Sequence, residues 1–361
     1  MKMYEPPNEG ELEEIKIELT KSCPLACIHC SSNGFIGNYI QLNRDTVLSL
    51  IAQAADMHVK SIVLSGGEPL LWPWIEDAVS ECKLRGLNSV LYTTGMNQSG
   101  DGAKEVLKLA TLGLGKVIFS LYSASKNKHE EITRKLGSFN NTLEAIQGLR
   151  NKNIIREIHF VPLKLNYRDL RELTVLAKDL GIPRVSILRF VPQGRGVVLK
   201  KGNAILMRRE TAELKRLILD CKKQNDIEIR LGSPYNILLF NDEVDCIAAR
   251  KTLCIAPNGN LYPCDAFKNT EPSEIGLNDS YGSINQHSLA ECWKRSKYLN
   301  AIRRYLTTPF EEPCLHCSYL GKCKSGCLAQ KVIEQESIEK GNIAKKPDPL
   351  CLKNLMGDED A

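Results

Sequence analysis

The chain has 361 residues, 43% of them hydrophobic, with 48 Lys and Arg against 43 Asp and Glu for a formal net charge of +5. That length supports one large domain and a smaller one with a full core. The small basic excess forms no stripe interleaved with aromatics, and both ends are acidic (Glu11, Glu13, Glu14; Asp358, Glu359, Asp360), so nucleic acid is not an indicated partner. No apolar run approaches the length of a bilayer, and the start, Met-Lys-Met-Tyr-Glu-Pro-Pro, has no signal-type apolar stretch; nothing points to export or a membrane partner. Fourteen cysteines are too small a fraction for a disulfide scaffold, and their clustering at cofactor spacings implies a reducing, cytoplasmic setting.

Residues 1–12 read as a tail. Short β-branched runs then predict strands near 13–20, 60–65, 88–94, 116–121, 155–163 and 184–190, separated by helices near 44–57, 73–86, 102–112, 139–152 and 168–180. Six βα units in series imply a parallel sheet, and right-handed crossovers let it curl into an incomplete barrel over 13–200. Chemistry then belongs at the C-terminal ends of the strands, where the βα loops converge. A helical stretch from Arg208 to Gln224 and the turn Gly232-Ser233-Pro234 make 201–240 a bridge to a cysteine-rich segment, 241–361.

After the first strand come Cys23, Cys27 and Cys30, spaced CxxxCxxC. A cubane cluster takes four thiolates, so a compact set of three leaves one iron open for another ligand. Zinc is the rival, but it favours paired CxxC or Cys/His spacings, and the nearby His29 lies between two of the cysteines. After the second strand, Ser65-Gly66-Gly67-Glu68-Pro69-Leu70 offers glycines that let a ligand approach the backbone, and a carboxylate acceptor for an ammonium group. The far end carries Cys246, Cys254 and Cys264, then Cys314, Cys317, Cys323 and Cys327, then Cys351: two full sets of four, with a pair of structural zinc knots as the alternative. Cys82, Cys221 and Cys292 fall in helical patterns and read as small buried hydrophobes. His129 and His159 read as ordinary surface or core residues.

The cysteine triad and the Gly-Gly-Glu-Pro run resemble those of the radical SAM superfamily, and Cys-x12-Gly-x4-Cys followed by CxxCx5CxxxC and a last Cys resembles its SPASM extension. The resemblance implies a (β/α)6 partial TIM barrel, α/β in class, followed by a small cysteine-rich α+β domain. It implies S-adenosylmethionine on the open iron of the front cluster, with its methionyl amino group held at Gly66, Gly67, Glu68 and Pro69. Further contacts would come from Thr94, Ser120, Arg134, Asn166 and Arg189, and His29 would lie against adenine. Cys246, Cys254, Cys264 and Cys327 would hold auxiliary cluster I, and Cys314, Cys317, Cys323 and Cys351 auxiliary cluster II, giving three 4Fe–4S clusters. Asp265, after Cys264, would take a substrate proton; a turn aspartate capping backbone amides is the alternative.

The chemistry so implied is hydrogen-atom abstraction by a 5′-deoxyadenosyl radical. The expected role is maturation of a peptide or protein by side-chain oxidation or cross-linking. A small-molecule substrate (tetrapyrrole, sugar or antibiotic precursor) is the alternative; a molybdopterin-type cyclase is disfavoured, since the chain ends Asp-Glu-Asp-Ala without a double glycine. A non-catalytic electron carrier would need neither an open iron nor a methionine site. A flavodoxin- or ferredoxin-type donor would supply electrons. With about a dozen residues before the first strand, any leader would be bound by a separate protein or by the barrel.

Overall fold

The computed structural model describes residues 12–224, 227–239, 245–307, 310–334 and 347–351; most of the expected tail, 1–12, lies outside them. Nine strands form one sheet: β1 Glu14–Glu18, β2 Ser61–Ser65, β3 Asn88–Thr93, β4 Lys116–Ser120, β5 Ile155–Phe160, β6 Arg184–Ile187, β7 Glu228–Leu231, β8 Thr252–Ile255 and β9 Leu261–Tyr262. The helices between them are α1 Arg44–Asp56, α2 Ile75–Leu84, α3 Gly102–Leu112, α4 Lys126–Thr133, α5 Ser138–Gly148, α6 Leu170–Asp179, α7 Gly196–Lys201, α8 Arg208–Gln224 and α9 Asn236–Leu239. After the sheet follow α10 Leu289–Arg295, α11 Lys297–Thr307, α12 Leu320–Cys323 and α13 Leu328–Glu334. Among the described residues no helix is long and apolar enough to cross a membrane.

The sheet order is β7-β6-β5-β4-β3-β2-β1-β8-β9, and every pair but β8–β9 is parallel. The six expected strands form the partial barrel in chain order, and the sheet runs on at both edges. The segment expected to bridge, 201–240, instead supplies α8 and β7, a seventh βα unit whose Ile229 and Leu231 are buried. At the other edge, β8 from the cysteine-rich segment pairs with β1, setting Lys16 opposite Cys254.

The two faces of the sheet differ. Ile15, Ile17, Ile62, Leu64, Leu91, Val117, Phe119, Ile158, Phe160 and Val185 are buried in the core that also holds Val47, Ile51, Val79, Leu109, Ile146, Leu173 and Ile218 of the helices. Each such side chain contributes roughly 1.5–3 kcal/mol by leaving water. On the opposite, concave face Val63, Val90 and Ile118 form a small apolar patch beside Tyr92. Around it stand Lys16, Glu18, Lys116, Glu157, His159 and Ser186, at alternate positions of their strands. Glu157 is fully buried there and accepts from Lys116, His159 and Ser186. Burial favours its neutral form, but these donors outweigh it and hold its carboxyl below the usual range. Cys82, Cys221 and Cys292 are buried in α2, α8 and α10, as expected.

The cysteine-rich segment is tied to the barrel by a buried ion pair. Arg189, just after β6, donates from Nη1 and Nη2 to the two Asp348 carboxylate oxygens at 2.6 and 2.7 Å, and from Nη1 to the Pro234 carbonyl at 3.2 Å. The two side chains are 5% and 1% exposed. Arg189 was expected to touch a bound cofactor; its guanidinium is instead committed to this carboxylate across the fold. Removing one partner would leave a buried charge without compensation, so Arg189→Met is expected to lower stability by about 3–5 kcal/mol. Urea denaturation followed by circular dichroism measures this; an unchanged midpoint would show the pair to be dispensable.

Candidate active site

Cys23, Cys27 and Cys30 lie on the loop leaving β1, and none is in a disulfide. The loop is held from two sides. Ala26 and Ile28 donate their N–H groups to the Thr133 and Ile132 carbonyls at the end of α4. Arg195 donates from Nε to the Cys27 carbonyl at 2.8 Å and from Nη2 to the Gly34 carbonyl at 2.9 Å. Leu25, Met96, Tyr122, Ile132 and Leu163 pack with Cys23 and Cys27 in an apolar shell. Burial raises the Cys23 thiol well above its ordinary value, and the neighbouring Cys27, Glu68 and Cys30 raise it further. Burial raises the Cys27 thiol likewise; coordinated, all three would be thiolates. Among the described residues no three Cys, His, Asp or Glu side chains converge on a single-ion point. Three unpaired thiols on one loop, two of them buried in an apolar shell, have the chemistry of ligands to an iron–sulfur group.

The loop after β2 presses against this one. Gly67 donates to the Thr20 carbonyl at 2.6 Å and Glu68 N–H to the Ser22 carbonyl at 2.8 Å. A Cβ on Gly66, at φ +144°, would meet the Thr20 carbonyl oxygen at 2.5 Å, and one on Gly67 would run into the Ser22 carbonyl. The glycines were expected to admit a ligand; the neighbours they admit here are the backbone of the cysteine loop.

Glu68 was expected to accept from an ammonium group. Its carboxylate is fully buried, and four donors of this chain already fill it: Leu70 N–H at 3.2 Å and Thr93 Oγ1 at 2.6 Å on one oxygen, Thr94 N–H at 2.8 Å and Thr94 Oγ1 at 2.6 Å on the other. Burial pushes its pKa up to about 7 against the pull of these donors. Two oxygens offer about four acceptor sites, so Glu68 fastens the β2 and β3 loops together. It also caps the 3₁₀ turn begun by Pro69. Asn166 is likewise occupied: its Oδ1 accepts from Leu163 N–H at 2.6 Å, and its Nδ2 donates to the Tyr122 and Val161 carbonyls at 2.7 and 3.1 Å. It stitches the β5 loop to the β4 loop and has no spare donor for a ligand. Ser120 ends β4 half-buried, and Arg134 is exposed at the left-handed C-cap of α4, next to Thr133. The His29 ring stands edge-on to Tyr122 at 4.5 Å, and Tyr122 stacks on the buried His129, whose Nδ1 accepts the Tyr122 N–H.

The second cysteine system divides in space. Cys314, Cys317, Cys323 and Cys351 line one cavity with Tyr319, Leu320, Pro347 and Asp348. Cys246 lines another with Gly326 and Leu328, the residues flanking Cys327; burial raises the Cys264 thiol well above its ordinary value, and Cys246 and Cys327 raise it further. Cys254, buried on β8, has its Sγ 3.9 Å from Asp265 Oδ1. The other Asp265 oxygen accepts from Lys16 Nζ at 2.6 Å. That ion pair, not a backbone amide, occupies the carboxylate, whose side chain is 46% exposed. Burial of the carboxyl group pushes its pKa up, yet Lys16 and Lys268 hold it below the usual carboxylate value. Lys268 donates to Glu18 Oε1 and Ser32 Oγ, both at 2.8 Å, joining the cysteine loop, β1 and the Cys264 turn.

Sequence reasoning passed over Lys16, Glu18 and Lys268, read His159 as an ordinary surface or core residue, and expected Arg195, in Gln193-Gly194-Arg195-Gly196, at the adenosine end of a bound cofactor. A signal existed for the first two: Glu14-Ile-Lys-Ile-Glu alternates charge with isoleucine, whereas a parallel strand buried on both faces reads as continuously apolar. Such alternation marks a polar concave face.

Residues 17–177 match the family model described as the radical SAM superfamily, and residues 246–318 the SPASM model, an iron–sulfur cluster-binding domain. PqqA peptide cyclase of Gluconobacter oxydans (strain 621H) is 26% identical over 339 residues, spanning 92% of this chain and 88% of that protein. GTP 3′,8-cyclase of Clostridium perfringens (strain 13 / Type A) is 29% identical over 305 residues, spanning 80% of this chain and 90% of that protein. Among solved structures, Streptococcus suis SuiB bound to S-adenosylmethionine is similar in fold, with a TM-score of 0.74 at 17% identity, covering 95% of this chain and 77% of SuiB. SuiB bound to its precursor peptide SuiA gives a TM-score of 0.69 at 18% identity, covering 93% of this chain and 76% of SuiB.

The contact of Gly67 with the cysteine loop can be tested without any substrate. Gly67→Ala places a methyl into the Ser22 carbonyl, an overpacking expected to cost about 1–3 kcal/mol and to release iron bound by the front loop. Gly148→Ala, at the end of α5 with open space around it, is the control and should be neutral or slightly stabilising. Denaturation midpoints and iron content of both variants give the comparison; equal behaviour would mean that the close approach is not needed.

Proposed function

We propose that this chain, which belongs to the radical SAM superfamily and carries the SPASM iron–sulfur extension, matures a peptide or protein by oxidising or cross-linking a side chain. It is an enzyme of a family that uses 4Fe–4S clusters and S-adenosylmethionine. The observation that carries the reading is the pairing of β8 with β1. Through it the loop of Cys23, Cys27 and Cys30 and the turn of Cys264 and Asp265 meet at one mouth, linked by Lys268.

Cys23, Cys27 and Cys30 would hold the cluster that leaves one iron for S-adenosylmethionine. Cys246, Cys254, Cys264 and Cys327 would hold one auxiliary cluster, and Cys314, Cys317, Cys323 and Cys351 the other. When bound, the front cluster and S-adenosylmethionine supply a 5′-deoxyadenosyl radical that removes a hydrogen atom from substrate. The chain's own part is to keep water out and geometry fixed. Leu25, Met96, Tyr122, Ile132 and Leu163 shield the triad, and the backbone of 66–69, with Thr94 and Ser120, would border a bound cofactor. Asp265, paired with Lys16, would take the proton that the substrate loses on net oxidation.

A peptide substrate is supported by the relatives named PqqA peptide cyclase and by SuiB, which has been solved with a precursor peptide. A small molecule is the second reading, favoured by the 29% identity to GTP 3′,8-cyclase. A flavodoxin- or ferredoxin-type donor and a separate leader-binding protein complete the proposal, in a reducing cytoplasm.

Replacing Cys23, Cys27 and Cys30 together by alanine should abolish release of 5′-deoxyadenosine from S-adenosylmethionine, measured by chromatography after anaerobic reduction. Cleavage above background in that variant would place the cofactor elsewhere. Asp265→Asn should retain iron and cofactor cleavage while product falls about 10²–10⁴-fold, the usual worth of a positioned acid–base group. Undiminished product would remove Asp265 from the chemistry.

A further inference from the structure

Lys16 occupies an unusual position. It lies mid-strand in β1, with its side chain 10% exposed, while its neighbours Ile15 and Ile17 are buried in the helix-covered core. Its backbone is in register with Cys254 on β8, so the two residues are adjacent across neighbouring strands, about 4.8 Å apart. Its ammonium reaches Asp265 Oδ2 at 2.6 Å and stands 4.3 Å from the centre of the Tyr92 ring. Asp265 in turn places its other oxygen 3.9 Å from the Cys254 sulfur. Lys16, Asp265 and Cys254 thus form a closed triangle on the concave face.

A free thiol can donate to a carboxylate. A coordinated sulfur has no hydrogen to give, since metal ligation requires the thiolate. Asp265 and Cys254 would then be two negative groups in contact, a pairing that each disfavours. Lys16 is the cation bonded directly to that pair, through Asp265, while Lys268 acts on both groups from its bonds to Glu18 and Ser32.

We propose that Lys16 is a positioning and tuning residue of the auxiliary centre: its ammonium holds the Asp265 carboxylate against the Cys254 sulfur and favours the reduced form of the cluster ligated there. The proposal rests on the assignment of Cys254 to a cluster. Cluster potentials follow local net charge and hydrogen bonding to the sulfurs, and a fixed cation beside one ligand raises the affinity for an electron. In the proposed reaction that electron is the one the substrate radical gives up to the auxiliary cluster, while its proton goes to Asp265. Lys16 therefore serves both products of that step, stabilising the added electron and holding the proton acceptor in place.

The test is an EPR-monitored redox titration of the reconstituted full-length protein, with iron quantified in each sample. The front cluster is recognised by the change S-adenosylmethionine makes in its signal. Lys16→Met should shift the reduced-to-oxidised ratio of the auxiliary centre about tenfold toward oxidised at a given potential, about 59 mV for one electron. Asp265→Asn should move it the other way, the double variant should lie near the parent, and Lys16→Arg should restore the parent value. An unmoved potential in Lys16→Met at full iron content would overturn the proposal. If Lys16→Met fails to hold iron, Asp265→Asn decides, because a fall or no change there contradicts the charge argument equally. Cys254→Ala that leaves iron content and every signal unchanged would remove the cluster assignment, and the proposal with it.

Discussion

The pairing of β8 with β1 is the interaction on which the rest of the structure depends. Five residues of β1 pair in parallel with β2 on one side, and four of them with β8 on the other. The outward side chains, Ile15 and Ile17, anchor the helix-covered core; the inward ones, Lys16 and Glu18, meet Asp265 and Lys268 from the cysteine-rich segment. One strand therefore positions both cysteine systems. The loop it launches carries Cys23, and the strand it recruits carries Cys254. Any slip of register by one residue would turn Lys16 into the core and an isoleucine toward Asp265, so the alternation that builds the face also fixes the pairing.

Around that strand the βα loops are fastened to one another and leave few groups idle. Glu68, Asn166 and Arg195 each bind across two or more loops, and all three use several bonds to do so. A buried carboxylate or amide left unsatisfied costs about 1–3 kcal/mol or more, so these residues hold the mouth in one arrangement and resist alternatives. Backbone does the rest: Gly66, Gly67 and Gly194 stand where a Cβ would meet carbonyl oxygens of the cysteine loop. Rigidity of this kind suits a site that handles a reactive radical, where a loose loop would admit water or expose the chain itself.

Much of the barrel was legible in the sequence because its strands are short apolar runs set between amphipathic helices, and local pattern decides such units. The cysteine spacings were equally plain. What escaped has a physical reason in each case. Strand β7, Glu-Ile-Arg-Leu, is four residues of alternating charge, and α4, Lys126–Thr133, is too polar to stand out as a core helix. The β1–β8 pairing joins residues more than two hundred positions apart, a separation no periodicity reports. Arg189 shows the limit for single residues: an arginine after a strand looks the same whether it awaits a ligand or, as here, an aspartate 159 positions away. Glu68 was recognised as a key acceptor, but which donors fill it depends on Thr93 and Thr94 arriving from the next strand.

The charges of the concave face follow one logic. Four anions there and at the join to the cysteine-rich segment each have a cation: the half-exposed Asp265 has Lys16, and the buried Glu18, Asp348 and Glu157 have Lys268, Arg189 and Lys116. Isolated, the buried carboxylates would be driven neutral by desolvation; in pairs, they remain ionised. Three of the four pairs join residues more than a hundred and fifty positions apart, and each of these connects the barrel to the cysteine-rich segment. The same bonds that make the chamber polar therefore hold its two halves in register. A change that neutralised one partner would act on the geometry of the mouth and on its electrostatics together, and the arrangement gives the chain little freedom to alter either alone.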